Sequence, residues 1–568
     1  MRNKEIDKRI KNFDKVLILL QIFFVLFAIS LAIYLFFIQV IDLDKYRAKG
    51  RSQRISRSFV MRGDIYDRNG IKLATDKIYM NVYAHPKFYD STPEELAKKL
   101  APILKMSYSE LLSKLKKTDP VITIKKDIDK NTAKEISNLH LREISMDKKN
   151  VRTYPQGSLA AHILGYYNFD ADIAYGIEYT AKDKLEHVEQ AVKFERTLDG
   201  KIIYDVLTDP IATTVNPKGQ DVTLTIDAAI QHVAEKELRK MIVDSEALRG
   251  AVIVMDPKTG EILAYAVYPT YDPNNYKKAG EARLKNWSLT DVYPPGSTFK
   301  AITVASAMDL GKINEKSKIL DTGKMTIGKW LIKNYDYDLH PNPGNISLEY
   351  LFEHSSNIGA VNVAYMMTSK EFYDSLRKFG FGQKTGIDLP GETAGLLPVA
   401  HKWDKGIHAT MGYGYGTSVS AMQMISAVSA LANNGVRITP HIIKYSKDEY
   451  DKKIQHTQVI SAETAQSITR LLAASVNNGK SVIKMDKYNV AAKTGTSRKP
   501  SANGKGYSGA LYTSTVGYLP ASDPQVLIYV CVDSASKGPV WGNTIAGPVF
   551  REVAEQTARI LNLKQDKN

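Results

Sequence analysis

The chain has 568 residues, 43% of them hydrophobic and 24% charged, which excludes a disordered polymer and, by length, sets roughly three domains or fewer. A formal net charge of +16 comes without any long run of basic residues and without zinc-finger or helix-turn-helix spacing, so a solvated basic exterior is expected and nucleic acid is not. One cysteine, Cys531, excludes an intrachain disulfide; inside the apolar run VLIYVCVD it reads as a small core residue with no chemistry.

From Val16 to Ile41 no charged residue interrupts the run VLILLQIFFVLFAISLAIYLFFIQVI. At about 1.5 Å per residue such a helix exceeds a hydrocarbon thickness of about 30 Å, so it should span a membrane. A cleavable signal peptide has a shorter apolar core and a small-residue cleavage site, whereas this run ends in IDLDKYRAKG, so a retained anchor is expected. Arg2, Lys4, Lys8, Arg9, Lys11 and Lys15 precede it and outnumber Glu5, Asp7 and Asp14, which keeps the amino terminus cytoplasmic and the rest outside or periplasmic.

The expected layout is a tail over 1–15, the anchor over 16–41, a polar mixed domain over 42–217 and a second domain over 218–568, with the turn-rich NPKGQ at Asn216–Gln220 as the link. In the first of these domains EELAKKLAPILKMSYSELLSKLKK carries helical patterning and DPVITIKKDI is strand-like. The second opens with a helix in DAAIQHVAEKELRKMI, then a hairpin in GAVIVMDPKTGEILAYAVYP. LYTSTVGYLPASDPQVLIYVCVD repeats the hairpin plan near the end, and GPVFREVAEQTARILNL closes the chain as an amphipathic helix. Sheet elements from both ends of a domain, with helices and loops between, predict an α+β fold.

Chemistry-bearing residues cluster in the second domain. In YPPGSTFK, Ser297 and Lys300 open a predicted helix, STFKAITVASAMDL, that Gly311 terminates. Spacing of three is not diagnostic, since Ser113 and Lys116, Ser145 and Lys148, Ser375 and Lys378, Ser481 and Lys484, and Ser534 and Lys537 share it. Only the first pair follows a turn and stands at a helix start, where the dipole is positive and the lysine projects from the serine's face. In LFEHSSNIGAVNVA, Ser355 and Asn357 precede an apolar helix, and by itself SSN is an ordinary helix cap. In NVAAKTGTS, Lys493, Thr494, Gly495 and Thr496 are expected to end a short strand, with a glycine that admits a close backbone. Lys258, Thr259 and Gly260 repeat the tripeptide inside a hairpin turn, where the turn explains it.

A Ser-x-x-Lys opening a helix, then Ser-x-Asn, then Lys-Thr-Gly, in that order within one domain, is the signature of penicillin-binding proteins and serine β-lactamases, and the chain resembles that family. RGDIYDRNGIKLA at 62–74, RTYPQGSLAAHILGY at 152–166 and YGIEYTAKDKL at 175–185 resemble the anchored class B transpeptidases, so the likeness covers nearly everything after the anchor. The middle motif reads Ser-Ser-Asn rather than Ser-Asp-Asn, with its outer residues retained. No H-E-x-x-H or G-x-S-x-G motif is present, so neither metal nor cofactor is expected.

The resemblance implies an extended mixed pedestal domain followed by a transpeptidase domain with an antiparallel sheet flanked by helices. It implies acylation of Ser297 by a peptidoglycan stem peptide or a β-lactam, with Lys300 as base, Ser355, Asn357 and Lys493 around it, and Thr494, Gly495 and Thr496 on the substrate side. Discharging a lysine of ordinary pKa at pH 7 costs about 4.6 kcal/mol, so burial and a second cation must lower Lys300. The ending DPQVLIYVCVDSASKGPVWGNTIAGPVFREVAEQ and the stretch GYGYGTSVSAMQMISAVSALANNGV are similar to the septal division type, whereas the second proline of YPPGSTFK is met more in the elongation type; division is the expectation. A multi-spanning membrane glycosyltransferase and other division proteins are the implied partners. A D,D-carboxypeptidase differs only in its acceptor, and a non-catalytic β-lactam-binding scaffold would tolerate loss of Ser297.

Overall fold

The computed structural model describes residues 2–37, 55–56, 61–169, 171–186, 194–196, 202–203, 218–328, 330–479, 481–501 and 506–567. Two compact units divide the chain: 1–61 with 187–219, and 62–186 with 220–568. Asn216 and Pro217 of the expected link lie outside the described residues.

In the first unit α1 (Arg2–Phe36) is one continuous helix, so the stretch expected as a tail ahead of the anchor is helical as well. Its apolar side chains from Leu19 to Phe37 are exposed, and Leu19–Phe36 is long and apolar enough to cross a membrane. Ile55–Ser56, Phe194–Arg196 and Ile202–Ile203 form a small antiparallel sheet with the middle segment at its centre.

In the second unit the short strand Ile65–Tyr66 leads into β1 (Lys72–Ala84), which pairs antiparallel with both β2 (Ile122–Ile128) and β3 (Ile144–Thr153). Between β1 and β2 lie α2 (Pro93–Leu104) and α3 (Tyr108–Leu115). A capping box on Thr92 and Glu95 starts α2, and Ser107 caps α3, satisfying donors that the first turn of a helix cannot bond internally. Leu96, Leu100 and Leu104, one turn apart, bury against Val82, Ile122, Ile124, Leu111 and Leu115.

The stretches beginning at Arg62, Arg152 and Tyr175 meet in a buried ion cluster. Arg152 Nε donates to Glu178 Oε1 at 2.6 Å and its Nη1 to Asp76 Oδ1 at 3.0 Å, while Arg62 Nε donates to Glu178 Oε2 at 3.2 Å. All four side chains are buried, which charges tolerate only when paired in this way. Val222–Thr223 then pairs parallel with Ile65–Tyr66, so the chain enters its second part along a strand of the first.

Next come α4 (Ala228–Asp244), β4 (Arg249–Met255), β5 (Ile262–Tyr268), α5 (Lys300–Asp309), α6 (Asn357–Tyr365), α7 (Ala421–Ala432), α8 (Ala462–Asn478), β6 (Ala491–Pro500), β7 (Tyr507–Leu519), β8 (Val526–Asp533) and α9 (Ala546–Ile560). The five strands form one antiparallel sheet in the order β5, β4, β8, β7, β6. Period-two alternation divides its side chains. Val252, Val254, Ile528, Val530 and Val532 pack with Leu238 of α4 and Phe550 of α9, whereas Ala251, Ile253, Tyr529 and Cys531 face the core containing α5, α7 and α8. Both faces are covered, which is why these strands are continuous apolar runs. Cys531 is fully buried, as expected, and burial pushes its thiol up to about 12.

One strand departs from expectation. β6 does not end at the Lys-Thr-Gly stretch but runs through it to Pro500, paired with β7 along its length. It lies at the sheet's edge, where polar residues and a terminal proline are tolerated, so Ser497, Arg498 and Lys499 do not break it.

Candidate active site

Pro294 and Pro295 lead into a 3-10 turn over Gly296–Phe299 that runs directly into α5, so Ser297 is partly exposed in the turn and Lys300 is the first residue of the buried helix. Gly296 has φ +57°, and a Cβ there would stand 3.1 Å from the carbonyl oxygen of Thr496. Glycine is what lets the turn sit against β6. Gly495 serves the same approach from the strand: a Cβ would meet Ser514 Oγ at 2.8 Å and Thr298 Cγ2 at 3.0 Å. Ser497 Oγ donates to the Pro294 carbonyl at 2.7 Å, which fastens the strand to the turn.

The Lys300 amine is surrounded by oxygens. It lies 3.1 Å from Ser297 Oγ, 3.1 Å from Ser355 Oγ and 2.8 Å from Asn357 Oδ1, and it also donates to the Ser355 carbonyl. Burial holds it well below the usual lysine range, and the charge of Lys493 lowers it further, against the opposing pull of Asp321 and Asp336. Lys493 donates to the Thr494 carbonyl at 3.0 Å, and burial lowers its amine to about 8.

Ser355 adopts φ +50°, a conformation that costs a non-glycine residue about 1–3 kcal/mol and that turns both its oxygens to one amine. The cap of α6 is its neighbour: Ser356 Oγ accepts from Gly359 N at 2.8 Å and donates to Asp321 Oδ2 at 2.5 Å. Asn334 completes that support, its Nδ2 donating to both Asp321 oxygens and its Oδ1 accepting from Asn357 N at 2.8 Å and Ile358 N at 3.1 Å. Asp321 and Asn334 escape sequence reasoning because no spacing rule ties the last residue of one short strand and the residue after another to a helix start more than 20 positions on.

Ser297, Ser355, Asn357, Lys493, Thr494, Gly495 and Thr496 line a single cleft of about 1880 Å³, and Lys300 is buried within hydrogen-bond reach of three of them. Thr496 Oγ1 accepts from Gly542 N at 3.0 Å, which orients the hydroxyl at the cleft wall. Lys258, of the repeated tripeptide, instead pairs with Asp523 at the surface. Among the described residues one group of three potential metal ligands comes together, Asp336, His340 and His354, none of them a motif residue. The arrangement supplies what acyl transfer requires: a hydroxyl, a buried amine beside it, and a strand edge that can bind an extended chain.

Residues 250–555 match the family described as the penicillin binding protein transpeptidase domain, and residues 57–196 match the penicillin-binding protein dimerisation domain. The probable peptidoglycan D,D-transpeptidase PenA of Neisseria gonorrhoeae is 30% identical over 100% of this chain and 96% of its own. Stage V sporulation protein D of Bacillus subtilis strain 168 is 32% identical over 89% of this chain and 79% of its own. The crystal structure of a peptidoglycan synthetase from Bifidobacterium adolescentis superposes with a TM-score of 0.69 at 26% identity, covering 91% of this chain and 98% of that one. With both domains matched in order and one relative aligned end to end, the chain belongs to the class B penicillin-binding proteins, peptidoglycan D,D-transpeptidases of the serine acyltransferase type.

Proposed function

We propose that Ser297 is the nucleophile and Lys300 its general base, and that the protein cross-links stem peptides during septal wall synthesis. The observation that carries the chemistry is the Lys300 amine, 3.1 Å from Ser297 Oγ and held by Ser355 and Asn357. A neutral amine there takes the hydroxyl proton as the oxygen attacks the carbonyl between two D-alanines. The C–N bond then breaks, the proton passes to the departing D-alanine nitrogen through Lys300 and Ser355, and the donor peptide stays on Ser297 as an ester. An amine of a second stem attacks that ester and restores the free serine. The backbone N–H groups of Ser297 and Thr496 hold the oxyanion, where a single donor is worth about 2.7–4 kcal/mol. Lys493, Thr494 and Thr496 bind the substrate carboxylate, with Gly495 keeping the strand close. A β-lactam offers an equivalent carbonyl, strained by its four-membered ring, and acylates the same oxygen.

The exposed apolar stretch of α1 acts as a single-pass anchor with the amino terminus inside and both folded domains outside, the domain boundary falling between residues 217 and 218. The septal assignment rests on the stretches at 412–436 and 523–556, and a membrane glycosyltransferase is the partner that supplies the glycan. Likeness to a stage V sporulation protein favours a second reading, the same chemistry serving sporulation.

Labelling of the detergent-solubilised full chain with fluorescent penicillin, compared with Ser297→Ala, tests the nucleophile; undiminished labelling of the variant removes it. Imaging the tagged chain in growing cells tests the role, with mid-cell bands expected and dispersed side-wall patches contradicting it.

A further inference from the structure

Two histidines and a carboxylate meet next to the Ser355 corner, and none of them touches Ser297 or Lys300. The N–H groups of Leu339 and His340 both donate to the Asp336 carbonyl at 2.9 Å, a turn that places Asp336 and His340 one above the other. His354 follows the short helix Leu348–Glu353 and immediately precedes Ser355. Its Nδ1 lies 3.1 Å from Asp336 Oδ2, and its ring meets the His340 ring at 5.3 Å and 89°. One ligand atom from each of the three lies within 4.8 Å of the others.

We propose that Asp336, His340 and His354 form a binding site for a divalent transition-metal ion, with zinc the best match. Two imidazoles and one carboxylate are borderline ligands that suit zinc, whereas magnesium and calcium prefer oxygen alone. Zinc bonds of about 2.0–2.2 Å put tetrahedral ligand atoms about 3.3–3.5 Å apart. The Asp336 to His354 separation is already near that distance, and only His340 has to close in. His340 is exposed on its turn and its side chain makes no hydrogen bond among the described residues, so it is free to do so, and it marks the side from which an ion enters. The other two are held. Asp336 is 8% exposed, and the Tyr350 ring stacks on His354 at 3.9 Å and 14°, fixing its plane. A fourth position is left to water.

Such an ion ties the 336–340 turn to the residue before Ser355, whose left-handed backbone presents two oxygens to Lys300. Its role is therefore to stiffen the wall of the catalytic cleft. The site stands on its own ligands and does not depend on which residue is acylated.

The test uses the full chain in detergent, stripped of metal by chelation. Zinc titrated by calorimetry is expected to bind at one ion per chain, and cobalt(II) to give a visible absorption band of tetrahedral intensity. In His340→Ala, a surface change that leaves the fold intact, zinc affinity should fall at least tenfold, the cobalt band should vanish, and zinc should no longer raise the melting temperature. Asp336→Asn, which keeps the side chain's shape, should weaken binding as well. No stoichiometric zinc binding by the parent, or binding that both variants retain, overturns the site.

Discussion

Lys300 is fully buried, with four oxygens around its amine, and in the proposed scheme its protonation state sets what Ser297 can do. Because burial and the charge of Lys493 depress it, the neutral form grows as pH rises, and acylation should speed up along an acid limb that reports this lysine. In the proposed scheme Lys493 acts as a cation, and burial lowers its amine to about 8, so the rate should fall above that value. The penicillin acylation rate of the full chain, followed from about pH 5 to 10, is therefore expected to be bell-shaped. In Lys493→Arg the residual activity should lack the alkaline limb, and an unchanged limb near 8 would assign it elsewhere. Gly495 makes a second argument at this scale. In Gly495→Ala the new methyl would meet Thr298 Cγ2 at 3.0 Å and its backbone N at 3.2 Å, so the strand and the catalytic turn must separate. A loss of about 1–3 kcal/mol, read from thermal melting, is expected.

At the scale of elements, the start of α6 carries Asn357 to Lys300, and its first turn rests on Asn334. Removing that carboxamide in Asn334→Ala leaves two helix N–H groups and the buried Asp321 short of partners, each costing about 1–3 kcal/mol. Thermal stability and acylation rate should both fall; a variant as active and as stable as the parent would mean that the turn is held elsewhere. Legibility differs sharply between elements. Ser297 beside Lys300 follows from helical spacing, and the sheet from apolar runs whose alternate residues serve two cores. The meeting of Ser355 with Lys300 needs a φ of +50° that no propensity foretells. The cap inferred for Ser-Ser-Asn exists, carried by its middle residue, Ser356. β6 outruns its expected end because an edge strand tolerates the polar TSRK and the proline that resemble a terminus in sequence.

At the scale of the molecule, distant stretches of the expected pedestal region meet where Arg62, Asp76, Arg152 and Glu178 neutralise one another out of water. Sequence reading singled out the three stretches involved by resemblance, yet could not pair their charges, which lie up to 116 positions apart. Glu178 serves both arginines, so Glu178→Ala should cost about 3–5 kcal/mol by leaving buried cations unpaired. Chemical denaturation of the full chain checks this, and a shift under about 1 kcal/mol would show that water reaches the cluster. Convergence of the whole fold on Ser297 is tested most directly by intact mass and peptide mapping after incubation with benzylpenicillin. One adduct per chain, on the peptide carrying Ser297 and absent when Lys300 is replaced by alanine, is the expected result. An adduct on any other residue, or undiminished acylation without the lysine, would contradict it.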